Sequence, residues 1–373
     1  MVYYSKTRWL TLYTAHCFTD GGSIVAYLKE FVEALNEADC GDSPLDAPGD
    51  VLFNLAKDLA RLKHGISPVF FDRINFKPTL ATRMATQSLK LSLRLFPTLV
   101  PTLVDTVSQR SFFVDKWSRP FFRRKRFFES DHIISPDSPL INAAPLFVNI
   151  APLDVESLVV DCRRHQVKLQ TFVLFVYLHT IHQVCPDMYT DLFRRITVAV
   201  SLRNIYPQLS NHNTYLGNTG RFDDGFYTFL VNYYINPHTS CTWDAVRKYH
   251  AFLHRTIKGA TWINEYYTMA HAMNADHYLD PKINVRKDDC FLMTTNLGLV
   301  DVIDHADSGL YHIEDILFSP SAGAMVGTHH LTMCSTAKSG LNVGFSDGDT
   351  NIKDWPTFCL KFKENLLALR DEM

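Results

Sequence analysis

Apolar positions recur along this chain at two different periods. Ile24, Leu28, Phe31, Val32 and Leu35 fall three or four residues apart, which puts their side chains on one face of a helix. Ser23, just ahead of them, has the side chain to cap that helix, and the pattern fades near Asn36. WLTLYTA (9–15) reads as a strand, and CGDSPLDAPGD (40–50) as a loop. Leu52, Leu55, Leu59 and Leu62 predict a second helix over about 51–63. The stretch 88–107 begins amphipathic and is interrupted by Pro97 and Pro101. KWSRPFFRRKRFF (116–128) then mixes aromatic and basic residues. It suits an anionic membrane surface or a phosphorylated ligand, or a solvated linker that packs its phenylalanines on the body. Residues 136–154 are rich in proline and read as a crossover between lobes.

Beyond the crossover, 155–185 reads as two helices. The second, LQTFVLFVYLHTIHQV, is apolar nearly all round and is expected to be buried. Strands are expected at 196–202, 226–235, 291–300, 324–336 and 340–346. Helices are expected at 242–257 and over the closing WPTFCLKFKENLLALRDE. Long alternating units without a repeat point to an α/β, sandwich-like second domain. With 373 residues and 46% apolar content, the chain is long enough for two cored lobes. The net charge of -2 lacks the positive excess of a bulk nucleic-acid binder. Eight scattered cysteines, none in a CxxC pair, read as buried thiols in a reducing compartment. No long apolar run suggests a membrane span. No GxGxxG or GxxxxGK[ST] occurs, and adjacent His329 and His330 should face opposite sides of a strand, so no metal site is assigned.

The sharpest local signal is His16-Cys17-Phe18-Thr19-Asp20-Gly21-Gly22-Ser23, a strand end turning through glycines into a helix. A neutral imidazole there can act as a base near neutral pH. The spacing alone equally fits a simple turn with an Asx-type hydrogen bond and an ordinary exposed histidine.

The segment AHCFTDGGS resembles the His-x-x-x-Asp-Gly motif of the CoA-dependent acyltransferase superfamily, and most of all the fungal alcohol O-acetyltransferase family. Ala15 stands where a second histidine often precedes the first. Further segments resemble the family in order: CRRHQVKLQTFV (162–173), VAVSLRNIYP (198–207), LGNTG (216–220), TTNLG (294–298) and GLNVGFSDGD (340–349).

The resemblance implies a chloramphenicol-acetyltransferase-like pair of α/β (α+β sandwich) lobes with a channel between them. A first lobe would occupy 1–135, a linker 136–154 and a second lobe 155–373. His16 would be the general base for acetyl transfer from acetyl-CoA to an alcohol, directly in a ternary complex. Cys17 is read as packing. Asp20 would form a structural ion pair with Arg203, which could otherwise be a plain strand-end charge. Oxyanion donors could come from the N–H groups of Gly21 and Gly22 or from Thr294, Thr295 and Asn296. Asn296 could equally be a turn residue. Lys338 and Ser339 could meet CoA phosphates or be loop residues.

The family carries elements ahead of the motif that are not present before His16, so the first lobe is expected to be incomplete. A longer natural chain, a replaced edge or a relative that no longer catalyses would each explain that. An amine of a long-chain amino alcohol as acceptor, or a non-catalytic binding module, stay open beside the alcohol reading. The expected partners are the small acceptor and acetyl-CoA, with no bound cofactor and no nucleic acid. The expected state is a cytoplasmic monomer, peripheral on endoplasmic reticulum or lipid droplets if the 88–128 stretch provides an anchor.

Overall fold

A computed structural model describes residues 2–12, 20–39, 76–96, 145–186, 194–203, 205, 227–235, 239–259, 261–272, 290–300, 311–320, 329–347, 352 and 354–372. The chain divides into two compact units. Unit 1 comprises Met1–Phe76, Val200–Phe229 and Leu299–Glu314; unit 2 comprises Lys77–Ala199, Leu230–Gly298 and Asp315–Met373. The units interleave along the chain, whereas the expected lobes are continuous stretches.

In unit 1, strands β1 (Val2–Tyr4) and β2 (Trp9–Thr11) form an antiparallel hairpin, with Tyr3 opposite Leu10. The expected strand at 9–15 is therefore observed as far as Thr11, and it has a partner. Residues 13–15 lie outside the described residues. Helix α1 runs Gly21–Asp39. It begins before Ser23 because Asp20 is the cap. The Asp20 carboxylate accepts the Ser23 N–H at 3.1 Å, and its carbonyl accepts the Ile24 N–H at 3.1 Å. Near the other end of α1, the Asn36 amide exchanges two hydrogen bonds with the Tyr311 backbone, at 2.9 and 2.8 Å.

Unit 2 holds most of a six-stranded sheet in the order β3-β8-β7-β6-β4-β5. The strands are β3 (Leu146–Ile150), β4 (Arg194–Ser201), β5 (Thr228–Ile235), β6 (Cys290–Leu299), β7 (His329–Thr336) and β8 (Gly340–Asp347). β3 and β7 flank β8 antiparallel, while β4 and β6 pair in parallel. The five expected strands thus form. β3 is a correction, since it lies within the stretch read as crossover. Its five residues sit between Pro145 and Pro152 and bury only Val148 and Ile150, too short a pattern to stand out.

Helices α2 (Leu80–Leu95), α3 (Pro152–Arg164), α4 (Leu169–Val184), α5 (Trp243–Lys258), α6 (Thr261–Ala272) and α7 (Trp355–Glu372) complete the unit. α4 is buried almost all round, as expected. Phe345 of β8 centres an aromatic cluster with Tyr177 of α4 and with Phe358 and Phe362 of α7, at centroid distances of 5.7, 5.6 and 5.0 Å. On the opposite face of the sheet, the backbone of 316–318 is held by side chains. Thr332 donates to the Phe318 carbonyl, and Cys334 and Asn342 donate to that of Ile316. α6 was not expected, because TWINEYYTMAHA carries no clean apolar stripe. No helix among the described residues is long and apolar enough to cross a membrane. The helix expected at 51–63, the LGNTG segment and residues 116–128 lie outside the described residues.

Candidate functional site

Unit 1 brings together Asp20, Gly21 and Gly22 at the start of α1 with Arg203, two residues past the end of β4. Leu202 is fixed there by its N–H bond to the Tyr227 carbonyl at 2.7 Å. Arg203 then reaches back 183 positions, and its Nη1 donates to Asp20 Oδ2 at 2.7 Å. Its Nη2 donates to Ser23 Oγ at 3.0 Å, and its Cζ lies 4.8 Å from the centre of the Tyr227 ring. Asp20 is 1% exposed and Arg203 8%, so Arg203 is a buried partner and not a strand-end surface charge.

The carboxylate of Asp20 is saturated. Oδ2 also accepts the Tyr227 N–H at 2.8 Å and the Thr228 hydroxyl at 3.1 Å. Oδ1 accepts the Ser23 N–H at 3.1 Å and its hydroxyl at 3.3 Å. Burial pushes the Asp20 pKa up, but the hydrogen bond and charge of Arg203, with the Tyr227 and Ser23 N–H groups, outweigh it. The carboxyl is held below its ordinary range. Gly22 is required by this packing, since a Cβ there would lie 2.7 Å from Arg203 Nη1.

Ser23, Tyr227 and Thr228 were not assigned to this centre from the sequence. Ser23 carried a signal, but as the cap. Thr228 lies in a segment legible only as a strand, and the Tyr227 contribution is a backbone N–H with no signature. His16 and Cys17 lie outside the described residues.

The other candidates belong to unit 2. Thr294 is buried on β6 and Thr295 half-buried. Asn296 is exposed, and its Oδ1 accepts the Gly298 N–H at 2.7 Å, a turn interaction. Lys338 is exposed in the turn between β7 and β8. Ser339, in the same turn, donates its hydroxyl to Asp315 at 2.6 Å, and its N–H bonds Thr336 Oγ1 at 3.0 Å. Asn342 donates to the same Asp315 oxygen at 2.5 Å. Ser339 is thus tied into the β7–β8 turn and the start of the segment that crosses the sheet.

An alcohol acetyltransferase family model matches residues 5–366, nearly the whole chain. The chain belongs to the alcohol acetyltransferase family. No curated protein matches it in sequence. Among solved structures, it is similar to the epimerization domain from the third module of tyrocidine synthetase B. That match has 12% identity and a TM-score of 0.49, covering 96% of this chain and 67% of the other. The first condensation domain of the CDA synthetase matches at 13% identity and a TM-score of 0.44, with coverages of 96% and 64%. Polyketide synthase associated protein 5 from Mycobacterium tuberculosis matches at 12% and 0.49, with coverages of 96% and 72%. The chain therefore spans about two thirds of the length of these proteins.

In this alcohol acetyltransferase family member, Asp20 cannot serve as the proton acceptor. Both its oxygens are occupied, and its carboxyl is held ionised and out of solvent. What the centre does is fix geometry. It clamps the start of α1, whose cap residue Asp20 is four positions past His16 in the sequence, to the chain after β4 and to the entry of β5.

Proposed function

We propose that this chain transfers an acetyl group from acetyl-CoA to the hydroxyl of an alcohol, with His16 as general base. The imidazole takes the hydroxyl proton as the oxygen attacks the thioester carbonyl. The tetrahedral intermediate then expels the CoA thiolate, and the imidazolium returns the proton to the sulfur. The ester and free CoA balance the reaction, and no covalent acyl-enzyme is needed. The Gly21 and Gly22 N–H groups, Thr295 and Asn296 are the proposed donors to the oxyanion. Lys338, exposed in its turn, is the proposed phosphate contact, with Ser339 shaping that turn. The two-lobe organisation and a cytoplasmic, peripheral location belong to the same reading.

One observation supports it above the rest: Asp20 and Arg203, the two positions that the family resemblance singles out besides His16, form a buried ion pair in which both Asp20 oxygens are bonded. Such a pair is costly to maintain unless the turn that it holds has to be held.

The test is thiol release from acetyl-CoA with a panel of straight and branched alcohols. The expected result is alcohol-dependent release that falls at least about 100-fold in His16→Ala, the lower bound for loss of a general base, with the fold intact. Release no faster than hydrolysis with every alcohol, or full activity in His16→Ala, would overturn the proposal. Release with amines alone would move the acceptor to an amine.

A further inference from the structure

Two histidines on α5 sit among cations without an acid. His250 and His254 are four residues apart, so they share one face of the helix, and their ring centroids are 4.3 Å apart. That face lies against α4. Trp243, about two turns earlier on the same stripe, stacks on Phe172 at 4.9 Å, and His250 Nδ1 meets the buried Thr171 hydroxyl at 3.3 Å. Lys168 stands three residues before Thr171, and its carbonyl accepts the Thr171 N–H at 2.9 Å. Lys258 lies one turn beyond His254, within about 80° of both histidines around the helix. Both lysines are exposed and both histidines half-buried. α4 contains no acidic residue. The one acid of α5, Asp244, lies about 120° round the helix from His250, and Lys248 holds it at 2.7 Å. Besides the rings themselves, the charged groups that act on them are Lys168 on both and Lys258 on His254. Burial first, and then these neighbours, hold both imidazoles below their ordinary range.

We propose that His250, His254, Lys168 and Lys258 form a binding site for a dianionic phosphate group, free or as a phosphomonoester. Four groups that carry or can take up positive charge converge there, and no carboxylate acts on the two rings to balance them. A dianion supplies the missing charge. Each imidazole takes a proton from solvent as the anion arrives. The Nδ1–H of His250 then donates to Thr171 and leaves its Nε2–H for the anion. His254 and the two ammonium groups add further charge-assisted hydrogen bonds. The other occupant that suits paired histidines is a divalent transition metal. The two lysines repel a cation and offer it no lone pair, which disfavours that occupant. The inference uses none of the residues assigned to acyl transfer and is independent of that reading.

The experiment follows the histidine ring signals of the full chain by NMR as inorganic phosphate is added at constant ionic strength. His250→Gln and His254→Gln assign the two rings. Phosphate is expected to shift both rings saturably and to raise both their pKa values, where chloride at equal ionic strength does neither. Sulfate, whose two charges do not change over the range, is the pH probe. Its affinity should rise at least about tenfold between about pH 8 and 6, as both imidazoles become charged. Lys168→Gln/Lys258→Gln changes exposed side chains alone, so an unchanged unfolding temperature is expected. It should weaken phosphate binding by at least about tenfold. Without ligand it should also raise the pKa of both imidazoles, since it removes the cations beside them, a readout that a merely structural role would not move. Binding of glycerol phosphate as tight as that of inorganic phosphate assigns the site to phosphomonoesters, and binding of inorganic phosphate alone assigns it to the free ion. The inference is overturned if phosphate moves neither ring, if chloride moves them equally, or if the lysine variant binds phosphate undiminished. It is equally overturned if zinc ions shift the two rings and phosphate does not.

Discussion

Removing both members of the Asp20–Arg203 pair should cost clearly less than the sum of removing each alone. Arg203→Met keeps the apolar stem and deletes the charge. Asp20 then remains 1% exposed, held by the N–H groups of Ser23 and Tyr227 and the hydroxyls of Ser23 and Thr228. Those dipoles soften the loss without replacing a cation. Asp20→Asn is the mirror case. One acceptor oxygen becomes an NH2 that must face either the Arg203, Tyr227 and Thr228 donors or the two Ser23 donors. Each single change should cost about 3–5 kcal/mol, the usual result of leaving one charge of a buried pair uncompensated. The double variant buries neither charge. Its cost should fall short of the sum of the two by about 2 kcal/mol or more.

Denaturant unfolding of the four proteins closes this cycle. Single costs below about 1 kcal/mol, or additivity within about 0.5 kcal/mol, would refute the account of the centre. The pH dependence supplies a second check with a definite sign. A carboxyl whose folded pKa is lowered contributes stability that is fully present above its unfolded pKa, about 3.9, and is lost as pH falls through the lowered folded value. The stability gap between wild type and Asp20→Asn should therefore be level from about pH 8 to 5 and close only below about pH 4. A gap that closes between pH 7 and 5 would assign it to another group.

Gly22→Ala should cost about 1–3 kcal/mol and lower the unfolding temperature, because the new Cβ meets an Arg203 side chain that is pinned by Asp20 and Ser23. Gly340→Ala should be worse and yield little folded protein in a solubility assay. Gly340 has φ +85°, and an added Cβ would run into the Ile150 carbonyl. Asp315→Ala should cost about 1–3 kcal/mol by removing the charged acceptor that the Ser339 hydroxyl and the Asn342 amide share, although Thr336 Oγ1 and the Ile316 carbonyl stay within their reach. Faster amide exchange at Ile316, whose N–H donates to Asp315 at 2.8 Å, is the local readout.

The parts of this fold that are legible in the sequence are those whose signal is local. α4 announces itself by being apolar on every side, and β4 to β8 by dense β-favouring runs. What escapes reading is set at a distance. The residue that caps α1 is a choice between Asp20 and Ser23, both able to accept an N–H. Arg203, 183 positions away, settles it by fixing the Asp20 carboxylate where the helix must begin. β3 becomes a strand because β8 offers it a free edge; their facing asparagines, Asn149 and Asn342, are 193 positions apart. In α2 the local signal is present and misleading. The exposed Leu80, Leu91 and Leu95 mark the outer face, and Thr82 and Thr86, which bond Asn264 and Thr268 of α6, lie on the inner one.

The same limit governs the candidate site. The residue types at positions 20 and 203 can be picked out from a motif, but their environment cannot. Two of the donors on Asp20 are backbone N–H groups, which every residue but proline possesses, so nothing in the letters distinguishes Tyr227 from its neighbours. Yet these N–H groups help to keep the carboxyl ionised in a buried place, and they tie the entry of β5 to the first turn of α1. A motif that reads as His-x-x-x-Asp is thus, on the aspartate side, a long-range clamp. Its strength depends on residues 183 to 208 positions away, of which only Arg203 is marked by a motif.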